Sequence, residues 1–323
     1  MSVGRIVVAF ALGLLAVAAP AAAQDFPSRQ IQVVVPFPPG GSADLFARVP
    51  FNYLAPIVGH PIVFENKAGA SGIVGAKAVI NATPDGHTLL VSSVASVVIP
   101  PSLTNPQAFD PLKDLAPVTG IGTVPAVLVV NPSKGIRSFA ELLQYARANP
   151  GKVNLATSGA GTTAHLAGEL LMRETGIQIQ PVHYRGGAPA VTDLLGGHAD
   201  IMFSDALFFL EHIRAGRLLP LAVGTPHRAP SLTDVPTTAE LGYPTVVASN
   251  TYSLFAPHGT PSAIVDKLYK LIAAAVQDPG VMAAFARQEA LPAASPPERF
   301  AAFMREEAAR LVPIAKAAGA QGN

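Results

Sequence analysis

The stretch Ile31-Gln-Val-Val-Val-Pro-Phe-Pro-Pro-Gly-Gly-Ser-Ala-Asp44 decides the fold class of this 323-residue chain. Ile31 to Val35 is a run of branched aliphatic residues broken by one Gln, which predicts a buried β-strand. The loop rich in proline and glycine leads into a helix predicted from about Ser42, which Pro50 and Pro56 are expected to kink or shorten. A strand that runs through a short loop into a helix is the unit of an α/β sheet, so the sequence predicts a mainly parallel sheet covered by helices.

The same unit recurs along the chain in two series. The first continues with strands predicted at Ile62 to Glu65 and Leu89 to Val91. The second begins near Val124 and is complete enough to form a lobe by itself, with strands predicted at Ala126 to Val130, Val153 to Ala156, Gln178 to Val182, Ile201 to Phe203 and Leu219 to Val223. No low-complexity linker separates the series. We therefore expect two lobes joined by crossing strands, with a ligand cleft where strand ends meet helix starts.

The composition excludes several classes of protein. The chain has 22 Lys and Arg against 21 Asp and Glu, a net charge of +1, so we expect no nucleic-acid partner. It contains no Cys, which excludes disulfides, thiolate catalysis and thiolate metal sites.

The first residues are typical of a secretory signal peptide. Arg5 is the only charged residue before Asp25, Ile6 to Ala19 is apolar, and Ala21-Ala22-Ala23 provides small residues for cleavage. The apolar run is shorter than the roughly 20 residues that span a bilayer. We therefore predict that residues 1–23 are removed and that the mature protein resides in the periplasm.

Two loops between a predicted strand and a predicted helix are candidate anion sites. In the first, Gly40 and Gly41 leave backbone N–H groups open at the positive end of the helix dipole. An ordinary strand-to-helix turn is the alternative there. In the second, Thr157-Ser-Gly-Ala-Gly-Thr-Thr-Ala-His165, the hydroxyls of Ser158, Thr162 and Thr163 can donate to a carboxylate, and His165 either contacts the ligand or packs against the protein.

The second loop also matches part of a dinucleotide-binding fingerprint. Gly159, Gly161 and Ala164 have the required spacing, but no acidic residue closes a strand about 20 residues further on. His165 and Glu169 share one helix face without a clear third metal ligand. We therefore expect neither a cofactor nor a metal.

Two further strand ends are candidates for the cleft. Tyr184 and Arg185 follow one predicted strand, although a solvated surface loop is equally compatible with Arg185. Asp205 follows another strand. The favoured prediction is that Asp205 caps the helix predicted near Leu207. The alternative is that it accepts a hydrogen bond from an amino or hydroxyl group of a ligand.

A secreted hydrolase is the alternative from another class, with Ser158 or Ser92 as nucleophile and His165 as base. The sequence contains no G-x-S-x-G, H-E-x-x-H or Walker motif, and no third group that would orient the base is evident. We therefore expect a binding protein and no enzyme.

Ten segments, in order along the chain, resemble the solute receptors of tripartite tricarboxylate transporters, known as the TctC or Bug family. The segments are Phe26-Pro-Ser-Arg29, Val34-Val-Pro-Phe-Pro-Pro-Gly-Gly-Ser-Ala-Asp44, Glu65-Asn-Lys-Ala-Gly69, Thr83-Pro-Asp-Gly86, Asn149-Pro-Gly-Lys152, Ser158-Gly-Ala-Gly-Thr162 with His165-Leu-Ala-Gly-Glu169, Tyr184-Arg-Gly186, Asp193-Leu-Leu-Gly-Gly197, Asp234-Val-Pro-Thr237 and Ala256-Pro-His-Gly-Thr-Pro261.

The resemblance implies an α/β fold of the two-lobed, type II periplasmic-binding-protein kind. Lobe 1 would be discontinuous, with residues 25–124 and 247–323, and lobe 2 would take residues 125–246. The implied function is an extracytoplasmic receptor that closes around a small organic mono- or dicarboxylate, aromatic and amino acids included, and delivers it to the membrane subunits of a transporter. A ligand sensor that feeds a signalling partner is the alternative, and a monomer is expected.

The resemblance also assigns the ligand carboxylate to both candidate loops. Its contacts would be Phe37, Gly40, Gly41 and Ser42 in the first loop, and Ser158, Gly161, Thr162, Thr163 and His165 in the second. Ser92, Tyr184 and Asp205 complete the expected site. This chain departs from the family pattern where His183 and Arg185 replace the usual Pro and Lys, and where Ser204-Asp205 replaces the usual Asp-Asn. We therefore expect a site that is typical of the family at the carboxylate and unusual at its other end.

Overall fold

The computed structural model describes residues 26–317, so the predicted signal peptide lies outside the described residues. The strands in this range are β1 (Ile31–Val35), β2 (Ile62–Asn66), β3 (Thr88–Ser93), β4 (Leu115–Val130), β5 (Asn154–Thr157), β6 (Gln180–His183), β7 (Ile201–Asp205), β8 (Leu219–Val223), β9 (Ser249–Pro257) and β10 (Leu291–Pro292). The α-helices are α1 (Ser42–Val58), α2 (Ile73–Ile80), α3 (Val94–Leu103), α4 (Pro111–Asp114), α5 (Phe139–Ala148), α6 (Thr163–Thr175), α7 (Gly187–Leu195), α8 (Leu210–Arg214), α9 (Ser262–Ala275), α10 (Pro279–Ala286) and α11 (Pro297–Ala317).

The strands form one sheet with the order β2-β1-β3-β9-β4-β7-β5-β6, and β8 and β10 also pair with β4. The 16-residue strand β4 belongs to both lobes. Its first part, up to Pro125, pairs with β9, and its second part, from Ala126, pairs with β7 and β8. The pairs β1–β2, β1–β3, β5–β6 and β5–β7 are parallel. The fold is therefore the expected two-lobed α/β arrangement.

The chain returns to the first lobe directly beside β4. The backbone N–H of Ala126 donates to the carbonyl of Ala248 over 3.1 Å, and the N–H of Ala248 donates to the carbonyl of Gly224 over 2.7 Å. Two adjacent stretches of chain thus cross between the lobes. The predicted lobe boundaries, between residues 124 and 125 and between residues 246 and 247, stay predictions. Both crossings lie next to these boundaries.

Helix α1 is longer than the sequence indicates. It runs for 17 residues through Pro50 and Pro56, so of the two expected effects of these prolines, shortening of the helix is wrong. Its buried face includes Phe46, Phe51 and Leu54, and the packing of that face outweighs the hydrogen bonds that the two prolines remove. Phe46 stacks between the rings of Tyr252 in β9 and Phe285 in α10, with centroid distances of 4.6 and 4.9 Å.

Two elements near the lobe junction are absent from the sequence prediction. Helix α3 contains Pro100 and Pro101, and the first part of β4 contains Pro117, Gly120 and Gly122, residues that ordinarily interrupt these structures. Gly122 is required because a Cβ there would lie 2.6 Å from the carbonyl oxygen of Leu291 and 2.9 Å from the Phe46 ring.

Between residues 26 and 317, no helix is both long and apolar enough to cross a membrane.

We expect Gly122→Ala to lower the free energy of unfolding by about 2 kcal/mol, because the added methyl group overpacks the contact between β4, β10 and Phe46. Gly120→Ala is the matched control, since its Cβ would lie 3.2 Å from a single neighbour, the carbonyl oxygen of Ala293. Urea denaturation of both variants measures the difference. Equal losses would contradict a special requirement at Gly122.

Candidate ligand-binding site

A small cavity lies between the lobes, at the carboxyl ends of β1, β3, β5 and β7. We call it the inner cavity. The lobes meet around it: a Cβ on Gly186 of the second lobe would lie 2.8 Å from Pro38 of the first, and the Phe208 ring lies against Gly41. Its lining consists of Phe37, Pro38, Gly41, Ser42, Ala43, Ser93, Ser96, Ser158, Thr162, Thr163, Gly187, Ala188, Ser204, Asp205, Phe208, Asn250 and Tyr252.

Three helices begin at the inner cavity without a side-chain cap. The residues at their N-caps are Gly41 for α1, Thr162 for α6 and Gly186 for α7, and none accepts a capping hydrogen bond. The first N–H groups of a helix have no partner inside the helix, and the helix dipole makes these ends positive. No Lys, Arg or His is among the described residues that line this cavity. The groups of its lining that can attract an anion are therefore backbone N–H groups and hydroxyls.

The first loop positions α1 through Gly40 and Asp44. Gly40 has φ of +80°, whereas Gly41 has φ of −88°, so the left-handed residue is the first glycine. The Gly40 N–H donates to the Asp44 carboxylate over 3.2 Å, and Gly40 is outside the cavity lining. Burial alone would raise the pKa of Asp44, but hydrogen bonds from Arg48, Gly40 and Asn66 hold it below its ordinary value. Gly40 thus shapes the loop, and Gly41, Ser42 and Phe37 face the cavity.

The second loop divides its residues in the same way. Ser158, Thr162 and Thr163 line the inner cavity, whereas Gly161 and His165 do not. The Gly161 N–H donates to Nδ1 of His165 over 3.0 Å, and Nε2 of this buried His lies 3.3 Å from the Glu169 carboxylate. Of the two predicted roles for His165, the structure places it in the packed one, behind the loop.

These contacts also bear on the hydrolase alternative. The Ser158 hydroxyl donates to the Thr162 hydroxyl over 3.3 Å, and both ring nitrogens of His165 face other partners. Ser92 is paired with Ser253 inside the sheet, and it is outside the lining of the inner cavity. Within residues 26–317, therefore, neither serine forms a nucleophile and base pair with His165.

Asp205 belongs to a buried hydrogen-bond cluster that we call the Asp205 cluster, formed by Thr163, Asp205, Asn250 and Tyr252. The Asn250 amide and the Tyr252 hydroxyl each donate to the Asp205 carboxylate over 2.7 Å. The Thr163 hydroxyl donates to the side-chain oxygen of Asn250. Asp205 makes no capping bond to the short 3₁₀ turn Ala206–Phe208, so the favoured prediction of a helix cap is wrong, because its two oxygens are used by side chains of β9.

Burial raises the pKa of Asp205 above its ordinary value, although the hydrogen bonds of the cluster oppose that rise. Beside this cluster, the buried Ser42 hydroxyl lies close to the carboxyl of Asp205 and makes no hydrogen bond of good geometry among the described residues. A ligand group that hydrogen-bonds to Ser42 would therefore improve on its contacts.

The site residues expected from the sequence leave out five polar residues that line the inner cavity, namely Ser93, Ser96, Ser204, Asn250 and Tyr252. Alternation along β3 decides between the neighbouring serines: Ser93 lies opposite Tyr252, which faces the cavity, and Ser92 lies opposite Ser253. Ser93, and not the predicted Ser92, therefore faces the inner cavity. A longer strand prediction, extended from Val91 to Ser93, would have given this register.

A second space, larger than the inner cavity, adjoins it. We call it the outer cavity. It lies between the loop 69–73 of the first lobe and the loops 158–160 and 183–185 of the second. The predicted site residue Tyr184 lines this space, and its hydroxyl donates to the Asp193 carboxylate over 2.8 Å. Burial and this acid raise the pKa of Tyr184 to about 12.

Comparison with known proteins agrees with this architecture. The profile of the family described as "Tripartite tricarboxylate transporter family receptor" (TctC) matches residues 46–320. Protein BugT of Bordetella pertussis is 40% identical over 306 residues, which are 94% of this chain and 94% of BugT.

Two solved structures are also similar to this chain. R. palustris Rpa4515 with adipate is 33% identical with a TM-score of 0.87, and the match covers 91% of this chain and 99% of that one. MatC from Rhodopseudomonas palustris with bound malate is 30% identical with a TM-score of 0.84, and the match covers 90% of this chain and 100% of that one.

The fold and the cavity between its lobes define the class of this molecule, a two-lobed solute-binding protein of the periplasmic type. The chain belongs to the TctC family of tripartite tricarboxylate transporter receptors, which confirms the resemblance found in the sequence. The family and its structural neighbours are solute-binding proteins.

The pKa of Asp205 leads to a test of the cluster. A raised pKa means that the native state binds a proton more readily than the unfolded state does. The native state of the wild type therefore gains stability as pH falls through the raised pKa towards about 3.9, the value in the unfolded chain. Asp205→Asn does not titrate and keeps one acceptor oxygen, and its amide N–H can donate to the Tyr252 hydroxyl in place of the second bond. We expect the variant to be the more stable protein at pH 8, and its advantage to shrink towards pH 4.

Melting temperatures measured across this pH range test the expectation. Asp266→Asn, which replaces an exposed acid, is the matched control and should follow the wild type in parallel. A constant difference between Asp205→Asn and the wild type at every pH would contradict the assigned titration.

Proposed function

We propose that the protein is a periplasmic receptor that binds a small organic carboxylate in the inner cavity and delivers it to the membrane subunits of a tripartite tricarboxylate transporter. The observation that carries this proposal is the meeting of three uncapped helix N-termini, those of α1, α6 and α7, at one cavity between the lobes. Membership of the TctC family supports the delivery step. The adipate and malate in two similar structures support a carboxylate ligand.

The inner cavity suits a carboxylate because it offers donors without a fixed positive side chain. Each helix N-terminus stabilises an anion by about 0.3–1 kcal/mol when exposed and up to about 2 kcal/mol when partly buried. The hydroxyls of Ser42, Ser158 and Thr162 add neutral donors at the same surface. The buried carboxyl of Asp205 disfavours a second negative charge beside it and favours a hydroxyl or amino group there.

Binding should favour closure of the lobes. Ser42 belongs to the first lobe and Thr162 to the second, so a ligand that touches both makes its full set of contacts only when the cleft is closed. A ligand shifts such an equilibrium only by the contacts that it gains in the favoured state. The closed form would be the shape that the membrane subunits recognise, and the two adjacent crossings beside β4 would act as the hinge.

A thermal-shift screen of the mature protein against aliphatic, amino and aromatic carboxylates tests the proposal. A ligand at 100 times its Kd stabilises the folded state by about 2.7 kcal/mol, which raises the melting temperature measurably. We expect a rise for one group of carboxylates, with the compound recovered unchanged. Consumption of the compound, or no rise with any carboxylate, would contradict the proposal.

We expect Gly41→Val to reduce carboxylate affinity at least about 100-fold while the protein stays folded. The φ of Gly41 is compatible with a side chain, and a Cβ there would meet its nearest neighbours, Pro38 and Phe208, at 3.7 and 3.8 Å. The added branches would then project from the start of α1 into the ligand's place, where close packing leaves no room for both. Gly41→Ala is the matched control with a smaller side chain.

Calorimetry of both variants, with circular dichroism to check folding, gives the result. Wild-type affinity in a folded Gly41→Val protein would show that the carboxylate binds elsewhere.

A further inference from the structure

The outer cavity differs in charge from the inner one. Its lining includes Arg185 and His183 and no acidic residue among those described. Burial and the neighbouring His165 hold the pKa of His183 below its ordinary value, so its ring is neutral at neutral pH. Among the described residues that line the outer cavity, the positively charged side chain is therefore that of Arg185.

Arg185 has no protein partner for its charge in residues 26–317. It forms no salt bridge and no side-chain hydrogen bond there. Other arginines of the same lobe do pair, since Arg214 binds Glu211 and Arg228 binds Glu240. A planar guanidinium with unused donors is suited to binding a carboxylate through two parallel hydrogen bonds.

The outer cavity adjoins the inner cavity. Phe37 and Ser158 line both spaces, one from each lobe, so a molecule that extends from the helix N-termini into the outer cavity would pass beside this ring and this hydroxyl. The inner end offers backbone N–H groups, and the outer end offers a side-chain cation. The two ends therefore present separate attractive regions for negative charge on one ligand.

We propose that the outer cavity is a second anion subsite, in which Arg185 binds the distal acidic group of an elongated ligand whose first carboxylate lies in the inner cavity. This inference rests on the proposed function and adds a residue that sets specificity. Arg185 would make the receptor prefer a chain with acidic groups at both ends over a chain of the same length with one. Since Arg185 is exposed, its contribution would decrease as ionic strength rises.

Calorimetry with matched acids tests this subsite. The probes are succinate, glutarate, adipate, pimelate and suberate, each paired with the monocarboxylate of the same carbon number, from butyrate to octanoate. For the preferred length, we expect Arg185→Gln to weaken binding of the diacid about tenfold and binding of the monoacid less than about twofold. Arg185→Lys, which keeps the charge and loses the planar fork, should lie between wild type and Arg185→Gln.

Arg137→Gln is the matched control, because Arg137 is an exposed arginine of the same lobe outside both cavities. It should leave both affinities unchanged. The wild-type preference for the diacid should also shrink at high salt. If Arg185→Gln weakens diacid and monoacid equally, or weakens neither, the subsite is refuted while the carboxylate receptor stands. If no acid of either series or of the wider carboxylate screen binds the wild type, the proposed function fails first.

Discussion

The continuity of strand β4 is the constraint on which the rest of the molecule depends. One strand pairs with β9 up to Pro125 and with β7 and β8 from Ala126, so the same strand positions both lobes. This arrangement brings the carboxyl ends of β1, β3, β5 and β7 to one cavity. The Asp205 cluster lies at the same junction and links α6 of the second lobe to β9. Gly122 and the stack of Phe46 on Tyr252 then place α1 against this shared sheet.

The electrostatics of the cleft follow from what each lobe contributes. The inner end offers helix N-termini and hydroxyls, with the buried Asp205 beside them. The outer end offers the exposed guanidinium of Arg185. Backbone N–H groups are fixed by the helices and, under the proposed function, would bind the ligand carboxylate. A long side chain at the outer end can be exchanged without rebuilding the sheet, so it would adjust ligand preference.

The sequence predicts much of this arrangement, and its failures have physical reasons. Strand β1 and the loops that begin α1 and α6 are predictable because the hydrophobic run and the glycine-rich turn are local signals. The first part of β4 is not, because Pro117, Gly120 and Gly122 are tolerated there only through contacts with distant residues such as Leu291. The choice of Ser93 over Ser92 depends on strand register. The inward packing of His165 involves the Glu169 carboxylate and a hydrogen bond from the Gly161 N–H, and no spacing rule reveals the bond from Gly161.

The uncapped helix starts have a consequence for the evolution of the protein. A side-chain cap usually stabilises a helix by about 1 kcal/mol, and at α1, α6 and α7 that contribution is absent. Thr162 is a residue type that commonly caps, yet its hydroxyl donates to the carbonyl of Gly159. Selection for heat resistance alone would favour Ser or Asp at such positions. Their oxygens would then occupy the N–H groups that the proposed carboxylate needs. A more thermostable descendant of this protein would therefore bind its ligand with lower affinity.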